Sequence, residues 1–227
     1  MPVKAVLFDM DGVLLNSEPL HDDTNLEILR DLGVEADRSI TDPYVGRTSE
    51  ALWGDLRERF QLGLSIEELM DRQWETNIRA LPHSGIGPSA GLDDLLQYLK
   101  EHHIRATVAS SSRGTFVASV LEHLQIRDFM EGYTCGEEVE HSKPAPDIFL
   151  LAAEKMHVSP SECMVIEDSS AGVRAGKAAG MFTVGYANPT SEGQDVSVAD
   201  VVVHHLADVR RILDEKNSAE SNTGIFA

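Results

Sequence analysis

Four short stretches of the chain place polar groups directly after apolar runs or in a tight loop, and their residue types converge on one chemistry. Asp9 and Asp11 follow the run 3–8, Ser110 follows 107–109, Lys143 lies in the loop 141–144, and Glu167–Asp168 follows 164–166. Carboxylates from two loops can hold a hard, oxygen-loving cation such as Mg²⁺, which takes one or two protein carboxylates together with water and a phosphate oxygen. Asp9 and Asp168 are the natural pair. A hydroxyl at Ser110 and an ammonium at Lys143 add the hydrogen bonds and positive charge that phosphoryl transfer asks of a protein. A single acidic pair at a strand end also reads as a helix cap or a solvated turn. The four sites together fit phosphate better than any other group.

For these groups to meet, their strands must lie in one parallel sheet, because ligands of open α/β sheets sit beyond the carboxyl ends of the strands. The periodicity supports this. A strand over 3–8 is followed, from residue 91 onward, by helix 92–102, strand 104–109, helix 115–124 and a weaker strand at 133–135. Helix 146–156, strand 163–166, a helix ending at 179, strands 182–186 and 200–203, and a helix over 206–213 complete the alternation. Strands alternating with helices predict a parallel sheet covered on both faces. Between 16 and 90 the strand signal is replaced by helical spacing: Leu26, Leu29 and Leu32 on one stripe, then Leu52, Leu56 and Phe60, then Ser65 and Glu68 in a capping-box pattern. The expected organisation is a core of 1–15 and 91–215, a helical insertion over 16–90, and a mobile tail over 216–227.

Composition narrows the partners. The 227 residues carry 38 Asp and Glu against 19 Lys and Arg, a net charge of -19, which opposes nonspecific binding to nucleic acid or anionic membranes. The longest apolar run, 148–153, is far short of the roughly 18 residues needed to cross a bilayer, and Asp9 arrives too early for a signal peptide, so a cytoplasmic location is expected. Cys135 and Cys163 are the only cysteines and have no metal-binding or disulfide spacing.

With these residues in view, the chain resembles the haloacid dehalogenase-like superfamily, and within it the β-phosphoglucomutase-like phosphatases and mutases. Asp9-Met10-Asp11-Gly12-Val13, Val108-Ala109-Ser110-Ser111, Lys143-Pro144-Ala145-Pro146-Asp147 and Ile166-Glu167-Asp168-Ser169 look like its four motifs, in order, across about residues 3–213. The resemblance implies a Rossmann-like, doubly wound core with an inserted all-α cap. It also implies a Mg²⁺-dependent phosphatase of a small phosphorylated metabolite. Asp9 would be the nucleophile and Asp11 the general acid and base. Asp9, the Asp11 carbonyl and Asp168 would bind Mg²⁺, with Glu167 grouped at the metal site as a supporting carboxylate. Ser110, Ser111 and Lys143 would bind the phosphoryl group, and His21, Arg47, Ser112 and Arg113 the rest of the substrate. A monomer is favoured, with no nucleic acid or membrane partner.

Departures from the family bear on the reaction. Tyr44-Val45 stands where β-phosphoglucomutases proper carry a cap lysine, and all six lysines lie outside residues 5–99. An insertion with seven arginines and no lysine cannot supply a Schiff-base amine, and it weakens the mutase alternative. Asn16 stands where relatives often have Asp. Glycines 85, 87 and 91 have the wrong spacing for a dinucleotide loop and read as a hinge returning from the insertion. The histidine pairs 102–103 and 204–205 read as surface or strand-end residues. A nonenzymatic alternative is a phosphoacceptor switch, whose modules are about half this length and lack a helical insertion.

Overall fold

The structure, a computed structural model, describes residues 2–44, 48–190 and 193–221. In chain order the elements are β1 (Ala5–Phe8), α1 (Glu18–Asp31), α2 (Arg38–Thr41), α3 (Ser49–Phe60), α4 (Ile66–Ala80), α5 (Leu92–Glu101) and β2 (Arg105–Ser110). They continue with α6 (Gly114–His123), β3 (Tyr133–Cys135), α7 (Asp147–Lys155), β4 (Cys163–Glu167), α8 (Ser170–Ala178), β5 (Phe182–Tyr186), β6 (Val201–Val203) and α9 (Val209–Ser221). The chain forms two compact units, Met1–Asn16 with Gly87–Ala227, and Ser17–Ile86.

The first unit is built on a six-stranded sheet in the order β3-β2-β1-β4-β5-β6, with every pairing parallel. This is the doubly wound α/β architecture expected from the alternating pattern, and the strand order reverses between β1 and β4. β1 sits centrally: Leu7 is in register with Thr107 on one side and Val165 on the other. A strand buried on both faces must be apolar throughout, and every side chain of β1 and β4 is buried. On one face Ala5, Leu7, Cys163 and Val165 pack with Phe149 and Ala152 of α7 and Ala175 of α8. Burying each large side chain of this kind contributes roughly 1.5–3 kcal/mol, which anchors the sheet centre. α5 presents Leu92, Leu95, Leu96 and Leu99, an i, i+3, i+4, i+7 stripe that is buried throughout.

The chain end corrects one expectation. Residues 216–221, assigned from their small polar composition to a mobile tail, continue α9. Asn217 Oδ1 accepts a hydrogen bond from Val3 N at 2.8 Å, and the Lys216 ammonium lies 3.5 Å from the centre of the Phe182 ring. These contacts hold a polar helix that composition alone could not reveal. Residues 222–227 lie outside the described residues.

In the second unit, α1, α3 and α4 enclose Ile28, Leu29, Leu52, Trp53, Leu56 and Leu69. The starts of α3 and α4 are set by side-chain caps: Thr48 accepts from Ala51 N at 3.2 Å, while Ser65 and Glu68 form the reciprocal capping box expected from their spacing. Buried polar side chains form a chain inside this unit: Trp53 Nε1 donates to Gln73 Oε1 at 3.1 Å, and Gln73 Nε2 donates to Asn25 Oδ1 at 2.9 Å. Among the described residues, no helix is long and apolar enough to cross a membrane.

Candidate active site

The strand-order reversal places the C-terminal ends of β1 and β4 side by side, and their first polar residues are the acidic ones. Asp9 continues the β1 ladder, donating from N to Ile166 O at 3.0 Å, and its side chain is buried. Glu167 closes β4 and Asp168 follows it, both buried. Ligand oxygens of Asp9, Glu167 and Asp168 lie within 4.8 Å of one another.

Lys143 reaches this cluster from the loop between β3 and α7. Its Nζ donates to Asp9 Oδ1 at 2.5 Å, Glu167 Oε1 at 2.7 Å and the Ala109 carbonyl at 3.2 Å, so all three ammonium donors have acceptors. Burial would pull the lysine down, but the carboxylates of Asp9 and Glu167 outweigh it and hold the ammonium above its ordinary range. Burial pushes Asp9 well above the usual carboxylate range; Lys143 pulls it down, and Glu167, Asp168 and Asp11 push it up again.

Two glycines give the carboxylates room. Gly12 has φ +80, and a Cβ there would stand 1.9 Å from Asp168 Oδ2. A Cβ on Gly172, in the first turn of α8, would stand 1.6 Å from Glu167 Oε1. Glu167 Oε2 is held by Ser169, which donates from both N and Oγ at 2.9 Å. Ser169 in turn caps α8 by accepting from Gly172 N at 3.0 Å.

The serines lie at the end of β2. Ser110 is fully buried, with Oγ 3.5 Å from Asp11 Oδ2, and Ser112 Oγ donates to the same oxygen at 2.7 Å. Ser111, between them, is exposed. Arg113 lies beside Glu137, Nε to Oε1 3.6 Å, and Glu137 Oε2 accepts from Gly114 N at 3.1 Å. In the other unit, His21 Nδ1 is 3.0 Å from Asn77 Nδ2, and its ring meets Trp74 edge-on. Arg47 lies outside the described residues.

One contributor escaped the sequence reading. Asn188 Nδ2 donates to the Gly12 carbonyl at 2.8 Å, while its Oδ1 accepts from Thr190 N at 3.0 Å. It follows the apolar strand β5 by two residues, so the strand-end rule that singled out the other groups would have found it.

The residues present fit a divalent cation. Three buried carboxylates face one ammonium, all donors are hard oxygens, and the positions of Gly12 and Asp168 leave no space for a side chain at residue 12. Burial opposes ionisation of Asp9, so an ionised Asp9 calls for positive charge beyond Lys143.

Comparison with known proteins agrees with this geometry. The family model described as haloacid dehalogenase-like hydrolase matches residues 6–186. The chain is 32% identical over 216 residues to a β-phosphoglucomutase of Bacillus subtilis, covering 91% of this chain and 92% of that protein. It is 31% identical over 182 residues to a fructose-1-phosphate phosphatase of Escherichia coli, covering 79% and 94%. A crystal structure of CbbY from Rhodobacter sphaeroides in complex with phosphate superposes with a TM-score of 0.83 at 26% identity, covering 91% of this chain and 96% of that one.

Proposed function

This chain belongs to the haloacid dehalogenase-like hydrolases, and from that premise we propose that it is a Mg²⁺-dependent phosphatase of a small phosphorylated metabolite such as a sugar phosphate. The observation that carries the reading is the buried cluster of Asp9, Glu167 and Asp168 around Lys143, at the strand-order reversal. Asp9, Asp168 and the Asp11 carbonyl would hold Mg²⁺, which when bound supplies the positive charge that lets a phosphate dianion approach carboxylates. Glu167, whose two oxygens already accept from Lys143 and Ser169, supports that set by fixing Lys143.

In the first half-reaction an Asp9 carboxylate oxygen forms a bond to phosphorus as the bond to the substrate oxygen breaks. Asp11 gives its proton to the leaving alkoxide. In the second, water attacks the phosphorus of the aspartyl-phosphate. Asp11 takes the water proton, and Asp9 leaves as a carboxylate with inorganic phosphate released. Ser110 donates to an equatorial oxygen of the transferring group, and the Lys143 ammonium sets positive charge beside it. Asn188 steadies the loop that carries Asp11 through the Gly12 carbonyl.

The fructose-1-phosphate phosphatase relative supports hydrolysis of a sugar phosphate. The β-phosphoglucomutase relative supports a second reading, return of the phosphoryl group to a hexose phosphate. Hydrolysis is favoured because residues 5–99 contain no lysine, which removes one donor for a bisphosphate intermediate, and because the net charge of -19 opposes its retention. A screen of phosphate release from sugar phosphates, polyol phosphates, nucleotides and phosphoglycolate with Mg²⁺ tests the proposal. Isomerisation of a hexose 1-phosphate faster than phosphate release would favour the mutase, and a stable phosphoprotein without turnover would favour a phosphoacceptor switch.

A further inference from the structure

We propose that Ser112 is a positioning residue for Asp11, holding the same carboxyl through both proton transfers. The inference rests on the acid and base role of Asp11 proposed above and adds the group that aims it. Ser112 is buried, and its backbone is tied at both polar ends. Its N donates to Ser110 Oγ at 3.1 Å, and its carbonyl accepts from Gly136 N at 3.2 Å, just beyond β3. The hydroxyl is therefore the one polar group of the residue left to rotate, and it lies 2.7 Å from Asp11 Oδ2. Ser110 Oγ is 3.5 Å from the same oxygen, which closes a small ring of Asp11, Ser110 and Ser112.

The chemistry of a hydroxyl suits this place. Asp11 must be a carboxylic acid when the alkoxide leaves and a carboxylate when water attacks. A backbone N–H or an ammonium can only donate and so cannot take up the acid's proton in a hydrogen bond, and a carbonyl can pair only with the protonated form. A serine hydroxyl donates to a carboxylate and, after rotating, accepts from a carboxylic acid, so it keeps its partner in both states. Holding one rotamer of a short side chain also lowers the entropic cost of reaching the reacting geometry.

The test uses the full-length protein with Mg²⁺ and a series of aryl phosphates that differ in the acidity of the phenol released. A poor leaving group needs its proton, whereas p-nitrophenolate does not. Ser112→Ala should lose roughly tenfold in kcat on phenyl phosphate and about twofold on p-nitrophenyl phosphate, a fraction of the 10²–10⁴ that a full acid contributes. Ser112→Thr, which keeps the hydroxyl, should restore most of the loss. In an Asp11→Asn background Ser112→Ala should cost little more, because the two act as one unit.

An equal loss across the series, or a rise in KM with kcat unchanged, would overturn the assignment and leave Ser112 as a substrate contact or a packing residue. So would a Thr variant that folds, by an unchanged urea midpoint, yet behaves like Ala. If Asp11→Asn itself shows no dependence on the leaving group, the acid role of Asp11 falls and the positioning role falls with it. If Asp11→Asn shows the dependence and Ser112→Ala does not, only the positioning role is lost.

Discussion

Replacing Lys143 with methionine keeps much of the side-chain volume and removes the single ammonium inside the acidic cluster. The side chains involved are almost fully enclosed: Lys143 is 8% exposed, Asp9 10% and Glu167 1%. Removing one partner from a buried ion pair typically costs about 3–5 kcal/mol, because the remaining charge has no counter-ion. The protein can limit that cost by protonating a carboxyl. For a group with an ordinary value of 3.8, staying neutral at pH 7 spans about 3 pH units at about 1.4 kcal/mol each, a ceiling of roughly 4 kcal/mol. The expected loss in the metal-free protein is therefore about 3–4 kcal/mol at pH 7. Its pH dependence has a definite sign. Lys143 is what pulls Asp9 down, so without it Asp9 is raised further above its unfolded value than in the native protein, and the extra penalty shrinks as the pH falls. Urea unfolding of both proteins in chelator, at several pH values between 5 and 7.5, measures it. A difference below about 1 kcal/mol at pH 7, or one that does not shrink on acidification, would refute the claim that Lys143 offsets buried carboxylate charge.

Gly172→Ala should displace the Glu167 carboxylate, since the new Cβ would stand 1.6 Å from Oε1, and kcat should fall at least tenfold while the urea midpoint drops by about 1–3 kcal/mol equivalent. At Asp200, burial raises the carboxyl, but the hydrogen bonds from Lys177 Nζ and Thr183 N outweigh it and leave it below its ordinary value. Its stabilisation is thus present above about pH 4 and lost as the pH falls through the lowered value, and Asp200→Asn should flatten the acid limb of a stability profile taken from pH 6 to 2. Arg47→Ala should raise KM for substrates with a distal polar or anionic group by roughly tenfold, and leave that of a minimal aryl phosphate within about twofold. An equal effect on both substrate classes would remove Arg47 from substrate recognition.

The sheet was legible because β1 and β4 are buried on both faces, and their apolar runs leave one reading. The strand-end rule pointed to Asp9, Asp11, Ser110, Glu167 and Asp168, since a polar residue after such a run has few places to go other than the carboxyl edge, and Lys143 stood out in its loop; the structure brings Lys143 onto Asp9 and Glu167, and Ser110 beside Asp11. The links among these residues were not legible. That Lys143 bridges Asp9 and Glu167, or that Ser112 meets Asp11, depends on loops whose course is set by long-range contacts such as Asn188 to the Gly12 carbonyl. The end of α9 was misread for a related reason: its polar sequence is held by Val3 and Phe182, more than thirty residues away in the chain, and local composition carries no trace of them.

The central claim is hydrolysis through a covalent bond to Asp9 in the presence of Mg²⁺. The most direct measurement quenches steady-state turnover of a reactive sugar phosphate in acid and maps the phosphorylated peptide, in parallel with phosphate release, for the native protein and for Asp9→Asn, with Mg²⁺ and with excess chelator. The account predicts a phosphoryl group on Asp9 and phosphate release from the native protein with Mg²⁺, and neither from Asp9→Asn or in chelator. Undiminished phosphate release by Asp9→Asn, or by the native protein in excess chelator, would contradict it.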